Sequence, residues 1–318
     1  MLSTRFTELV GCDVPIQQAP MGQLAPPGLA LAVARAGGVG TVSAPIGAEP
    51  EALAAQLDPW MDAGAGTLAV NFVTEQVDPA AVAVAGARAR MVDFFWNAPH
   101  AKLVEAAHEG GALVNWQVGS LPDAVLAVEA GADVVTVQGR EAGGHVRGDT
   151  ALLPLLTAVL RAVDVPVLAA GGIAEPRALA AVLAAGASGA RVGTRFLATP
   201  ESGAHPEYVL ALLAAGPEST EITDGFAECP MCATLPRARV LRSAIAAVEA
   251  VDGETVGGVG DQQLPPRAGM PPHKEVQGMI HAMALYAGGG VEHVTAVRPA
   301  EDVVRELAEG AEALLRVW

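Results

Sequence analysis

One alternation constrains this chain more than any other feature in it. Short apolar runs of strand type fall at 16–18, 39–43, 68–72, 92–95, 113–117, 134–138, 167–170 and 190–192. Longer patterns rich in Ala and Leu, of helical type, separate them at 28–36, 49–63, 79–87, 101–109, 122–130, 152–163 and 176–185. Gly37, Gly110, Gly131 and Gly186 stand where helical stretches end, and glycine there supplies the left-handed cap that turns the chain back. Strict strand–helix alternation demands a parallel sheet covered by helices. Eight such units close into a barrel with a side-chain-filled interior. The expected class is therefore α/β, a (β/α)8 TIM barrel. The rival is an open dinucleotide-binding sheet, which would show Gly-x-Gly-x-x-Gly directly after a strand. Gly38-Val39-Gly40 lacks the third glycine and precedes its strand, so the barrel is preferred.

The chain has 318 residues, more than the roughly 250 of a bare barrel, which leaves room for an insertion. The rhythm is lost over 217–274, where Gly257-Gly258, Pro265-Pro266 and Pro271-Pro272 form turns around one helical pattern at 237–250. A last helical pattern covers 299–315. These features predict a barrel over 1–203, a smaller inserted lid domain over 204–278, and a C-terminal segment over 279–318 that packs back on the barrel. Hydrophobic residues make up 51% and charged residues 17%, which excludes disorder. Aromatics are only 4%, and the small residues that replace them suit close packing of helix on sheet.

A net charge of −16 repels phosphate backbones, so no nucleic acid partner is expected. Arg5, Glu8 and Asp13 break any apolar start, and no run of about 18 apolar residues exists, so neither signal peptide nor membrane span is expected. Three cysteines, Cys12, Cys229 and Cys232, do not make a secreted disulfide scaffold. The expected compartment is the cytoplasm.

In such a barrel the chemistry lies after the strands. Ala170-Gly171-Gly172-Ile173 follows the seventh and Gly193-Thr194-Arg195 the eighth. Adjacent glycines leave backbone N–H groups bare at the usual phosphate position of the fold. Gln138-Gly139-Arg140-Glu141-Ala142-Gly143-Gly144-His145 follows the sixth strand. Its glycines admit a flat ligand, and His145 at the barrel mouth is a candidate acid–base. A lone histidine is more often structural, but position and glycine run favour function here. Ala19-Pro20-Met21-Gly22 follows the first strand and Asn71 lies at the third. Asn offers a donor and an acceptor to the amide edge of a flavin ring.

Together these segments resemble the nitronate monooxygenase (2-nitropropane dioxygenase-like) family. The matching motifs are QAPMG at 18–22, AVNF at 69–72, QGREAGGH at 138–145, AAGGI at 169–173 and VGTRF at 192–196. The resemblance implies an FMN barrel with a smaller lid. By it, Asn71, Gln138, Gly143, Gly171, Gly172, Val192, Gly193 and Thr194 would hold FMN. Ala19, Met21 and Gly22 would join them, the last two against the isoalloxazine, and His145 would be catalytic with no metal. The implied reaction oxidises an alkyl nitronate with dioxygen to a carbonyl compound and nitrite. An NAD(P)H-dependent enoyl-thioester or quinone reductase on the same scaffold is the first alternative, and it predicts fast flavin reduction by nicotinamide. A non-catalytic flavin-binding protein is the second, and it predicts tight FMN with no turnover. Gln117, where some members carry Lys, and Arg147, where many have Gly sooner, depart from the pattern. A homo-oligomer is compatible with all three readings.

Cys229-Pro230-Met231-Cys232 lacks the further ligands zinc needs and the βαβ setting of a redox pair, so it reads as a loop coincidence. His205, His273, His281 and His293 read as structural or surface residues, with a place near the mouth left open for His281. Ser202 lacks a nucleophile elbow.

Overall fold

The computed structural model describes residues 2–62, 66–73, 77–96, 98–228, 232 and 234–317. Eight parallel strands close a barrel in chain order: Ile16–Gln18, Val39–Ser43, Thr67–Phe72, Met91–Phe94, Leu113–Val118, Val134–Gln138, Val167–Ala170 and Gly189–Val192. The first strand pairs with the last through Ile16↔Ala190 and Gln18↔Val192, which closes the ring. The fold class expected from the alternation is the one observed.

The helices between strands are Pro27–Arg35, Pro50–Asp62, Pro79–Gly86, Ala101–Gly110, Leu121–Glu129, Leu152–Leu160 and Pro176–Ala184. Several begin with proline in the first turn, where the missing N–H has no helical partner to lose. The expected stretch 49–63 is helical from Pro50 to Asp62, and Ala63 lies outside the described residues. One expected cap was misplaced. Gly111, at φ 95°, takes the left-handed cap, and Gly110 belongs to the helix. A Cβ on Gly110 would stand 2.5 Å from the Gly86 carbonyl carbon, so this glycine lets two helices touch. The final helix, Ala300–Leu315, buries Val303, Val304 and Leu307 in the barrel core and packs beside Pro176–Ala184. It occupies the place of the eighth barrel helix. A Cβ on its Gly310 would meet Pro176 Cβ at 2.6 Å.

A helix absent from the sequence reading, Arg5–Val10, plugs the amino end of the barrel. Its Phe6 and Val10 pack against Val39, Ala69, Met91, Val134 and Leu168. Six residues carry too little periodicity to be read, but Thr4 and Thr7 form a reciprocal cap that stabilises it.

A second core gathers Leu24, Leu197, Tyr208, Phe226, Val240, Leu241, Ile280 and Leu285. Here the expected helix over 237–250 is present only in its later part. Ala238–Leu241 is a strand, and the helix is Arg242–Glu249. Ala238 and Val240 are buried while Arg239 turns outward, a period of two that Ala content disguises. This strand pairs antiparallel with Thr220–Thr223 on one side and with Gly144–His145 on the other. A second small sheet joins Gln262–Leu264, Gly257–Val259 and Gln277–Gly278. No described helix is long and apolar enough to cross a membrane.

Candidate functional site

The carboxyl ends of the barrel strands surround one cavity of about 1170 Å³. Ala19, Met21, Gly22, Asn71, Gln138, Gly143, His145, Gly171, Gly172, Gly193 and Thr194 all line it. Val192, expected with them, does not. Its side chain lies in the barrel's outer core, and its carbonyl accepts the Ala19 N–H at 2.8 Å. Side chains alternate along a strand, so the inward residue is Arg191.

The glycines at the seventh and eighth strands behave as a cradle. Among the described residues, the N–H groups of Gly171, Gly172 and Gly193 find no protein acceptor. Gly171 and Gly172 lie at φ 121° and 72°, conformations that side chains disfavour. On the wall, Asn71 gives its amide N–H to the Asp93 carbonyl at 3.2 Å, and its Oδ1 is buried without a partner. A buried orphan acceptor is costly unless a ligand donates to it. Unspent donors at one end and an unspent acceptor on the wall fit a ligand with a phosphate and an imide edge. Gly143 has a different role. A Cβ there would stand 2.6 Å from the Gly288 nitrogen, so it admits protein backbone. The Gln138 amide is likewise engaged, donating to the His145 carbonyl at 2.9 Å and accepting the Arg147 N–H at 2.9 Å. It holds the histidine's loop in place.

His145 is fixed from both sides of its ring. Its Nδ1 lies 2.6 Å from the Leu235 carbonyl, an acceptor only, so Nδ1 carries the proton and Nε2 the lone pair. Burial pushes its pKa below 6.5, and the bond to Leu235 opposes this. The imidazole is therefore neutral at pH 7, with a free-base nitrogen inside the cavity. Tyr286 Oη stands 3.4 Å from Nε2 while donating to the Gly269 carbonyl at 2.7 Å. Trp96 packs edge-on against the ring at 4.9 Å. Arg147, a departure from the family pattern, binds the carbonyls of Phe95 at 2.8 Å and Trp96 at 3.3 Å. It ties the loop carrying Trp96 to the loop carrying His145.

The other departure is answered from across the barrel, by the eighth strand. Gln117 accepts Arg191 Nη1 at 2.9 Å, and the guanidinium also reaches Gln17 Oε1 and, at 2.7 Å, Asp93. Burial pushes the Asp93 carboxyl up, and the Arg191 charge opposes it. A cation therefore lies under the cavity floor, neutralised from below. No motif announced this network, because polar residues in strands usually signal a solvent face.

Trp96, Tyr286 and Met270 on the wall also escaped the sequence reading, since they come from distant loops. His273, expected to be structural or surface, lies on the wall at 6% exposure. His281 is exposed and off it, while His205 accepts the Glu207 N–H as a helix cap. Cys232 also lines the cavity. It is disulfide-bonded, and its Sγ lies 3.8 Å from His145 Nε2. The loop-coincidence reading therefore overlooked a cavity position. Cys229 falls outside the described residues.

A family model described as nitronate monooxygenase matches residues 54–310. The (3aS,4S,5R,7aS)-5-hydroxy-7a-methyl-1-oxo-octahydro-1H-indene-4-carboxyl-CoA dehydrogenase of Rhodococcus jostii is 37% identical over 225 residues, covering 70% of this chain. The chain spans only 63% of that protein's length. A nitronate monooxygenase of Pseudomonas aeruginosa is 32% identical over 269 residues, covering 70% of this chain and 77% of its own. The solved structure of a nitroalkane oxidase from Streptomyces ansochromogenes superposes with a TM-score of 0.75 at 29% identity, covering 98% of this chain and 100% of that one. Motifs, barrel and family model agree, and this chain belongs to the nitronate monooxygenase family.

Proposed function

We propose that this chain is an FMN-dependent oxidoreductase that oxidises alkyl nitronates with dioxygen to carbonyl compounds and nitrite. The observation that carries the reading is His145, a neutral imidazole with its Nε2 lone pair in the cavity. The N–H groups of Gly171, Gly172 and Gly193 would hold the FMN phosphate, and Asn71 Oδ1 would accept from the ring imide. When bound, FMN supplies the electron acceptor; the chain orients the reactants.

The protein's own step is a proton transfer. His145 Nε2 takes the proton from the carbon beside a neutral nitro group, leaving the nitronate anion beside the imidazolium that results. Leu235 keeps the tautomer that makes this possible. Trp96 and Tyr286 wall the imidazole and limit water around it. Residues 204–278 are proposed as the lid over this cavity, and the cytoplasm as the compartment. The test is an aerobic assay with propyl-1-nitronate that follows oxygen uptake and nitrite. Nitrite released in step with oxygen consumed supports the reading, and oxygen-independent turnover with no nitrite overturns it.

A second reading, oxidoreduction of a coenzyme A thioester, is favoured by the Rhodococcus relative, whose name specifies a carboxyl-CoA substrate. On it, His145 would move a proton at the carbon next to the thioester carbonyl.

A further inference from the structure

Arg140, Arg237, Arg239 and Arg242 converge on a second cleft, of about 560 Å³, that shares no lining residue with the large cavity. We propose that this cleft binds the ribose phosphate monoester of an adenine nucleotide, the group common to coenzyme A and NADPH. The proposal names a nucleotide ligand of this protein and does not rest on a nitronate being the electron donor.

The position follows from the sheet register. Ala238 pairs with His145, and Arg239 pairs with Gly144. Neighbouring residues on a strand face opposite sides. Ala238 is therefore on the buried face with the histidine's strand, and Arg239 is on the outer face. Arg140 belongs to the loop that leads into His145. One thin sheet thus separates the arginines from the catalytic cavity. A ligand anchored by its phosphate outside and carrying its reactive group on a long arm, as both nucleotides do, would round the sheet edge to reach the cavity.

The charge pattern is unusual for a chain of net charge −16. Glu221 and Asp224 also line the cleft, and Asp149 pairs with Arg237 at 2.6 Å. Four guanidinium groups stand against these three carboxylates, and Glu141 near Arg239 evens the balance, so a phosphate finds its positive partners by opening the exposed pairs. Glu141 lies close to Arg239 but accepts the Leu152 N–H with both oxygens. The Arg237–Asp149 and Arg242–Glu221 pairs are solvent-exposed and open at little cost. Arg140 has no side-chain hydrogen bond or ion pair among the described residues.

Arg239 is already oriented. Its Nε and Nη2 bind the Arg140 carbonyl at 3.1 and 2.9 Å, and its Nη1 binds Thr220 Oγ1 at 3.1 Å. Burial and the neighbouring Arg140 charge push its pKa below the ordinary arginine range. A dianion in the cleft would relieve that repulsion. Planar guanidinium forks match phosphate oxygens in pairs, and the three terminal oxygens of a monoester can take forks from more than one arginine. The cleft's volume is also that of a small-molecule site.

The test measures equilibrium binding to the flavin-loaded protein by calorimetry. The probes are coenzyme A, dephospho-coenzyme A, NADPH and NADH, with inorganic phosphate as competitor. At least one phosphorylated probe should bind about tenfold or more tighter than its counterpart lacking the monoester, and the pair that shows this identifies the source. In Arg140→Ser/Arg242→Ser the preference should fall below about twofold. Nitrite formation from propyl-1-nitronate should be unchanged in that variant. Arg242→Ser alone, with flavin content and circular dichroism checked, guards against a folding defect in the pair. Equal affinities within both probe pairs, or a preference that survives both substitutions, overturns the proposal. Loss of nitronate turnover in the parent, with the phosphate preference intact, would sink the nitronate reading and leave this one standing.

Discussion

Gly193→Asp isolates the phosphate cradle from the fold. Gly193 has φ −115°, outside the left-handed region, and a Cβ there would lie 3.5 Å from Ala19 Cβ and 3.8 Å from Met21 Sδ. Both are ordinary contacts, so an aspartate enters without moving backbone and points its charge into the cavity. Two unit charges about 4 Å apart at an effective dielectric near 20 repel by about 4 kcal/mol. That corresponds to roughly 10³-fold in Kd. Solvent at the cavity mouth screens part of the repulsion, so about 10²-fold is the smallest loss consistent with the cradle. The assay titrates apoprotein with FMN by fluorescence quenching and follows the apoprotein's thermal melt. Gly193→Ala should bind FMN within a few-fold of the parent, since the extra methyl carries no charge. A Gly193→Asp protein that melts like the parent and holds FMN within about tenfold would show that the phosphate sits elsewhere.

His145→Asn should retain FMN but lose about 10²- to 10⁴-fold in turnover of a neutral nitroalkane, and less with the preformed nitronate; equal losses on both would remove its role as a base. Because burial lowers the His145 pKa below 6.5, the parent's kcat/KM for the nitroalkane should stay level from alkaline pH down to about 6.5 and decline only below it, as the imidazole takes up a proton. A decline that begins above pH 7 would contradict that state. Asp93→Asn strands the Arg191 charge, 2% exposed, in the barrel interior, and should destabilise the protein by about 3–5 kcal/mol in urea unfolding; a loss below about 1 kcal/mol would mean the other oxygen partners suffice. Gly310→Ala brings a methyl to 2.6 Å from Pro176 Cβ and should lose about 1–3 kcal/mol, read as a lower Tm.

The barrel was legible because its signal is local. Each strand is short and mostly apolar, as at Val134–Gln138, and each intervening helix announces itself over two or three turns. The unspent donors were legible because Gly171, Gly172 and Gly193 fall directly after strands, where their N–H groups are left bare. What was hidden depends on contacts distant in sequence. The strand Gly144–His145 exists only because Ala238–Leu241 comes to pair with it. The orientation of His145 comes from Leu235, and its neighbour Tyr286 lies 141 residues away. Arg191 and Asp93 are 98 residues apart, and each alone looks like a polar residue out of place in a strand. Val192 was misassigned because a motif spans both faces of a strand, whereas the cavity sees one.

A nitronate, and not a nicotinamide, is proposed as the electron donor to bound FMN. The donor's identity is tested most directly by mixing anaerobic, flavin-loaded protein in a stopped-flow instrument with propyl-1-nitronate, NADH and NADPH in turn, while following the flavin absorbance. The nitronate should bleach the flavin at least as fast as aerobic turnover, while the nicotinamides bleach it far more slowly. Rapid bleaching by NADH or NADPH, with none by the nitronate, would contradict it and make the enzyme a reductase.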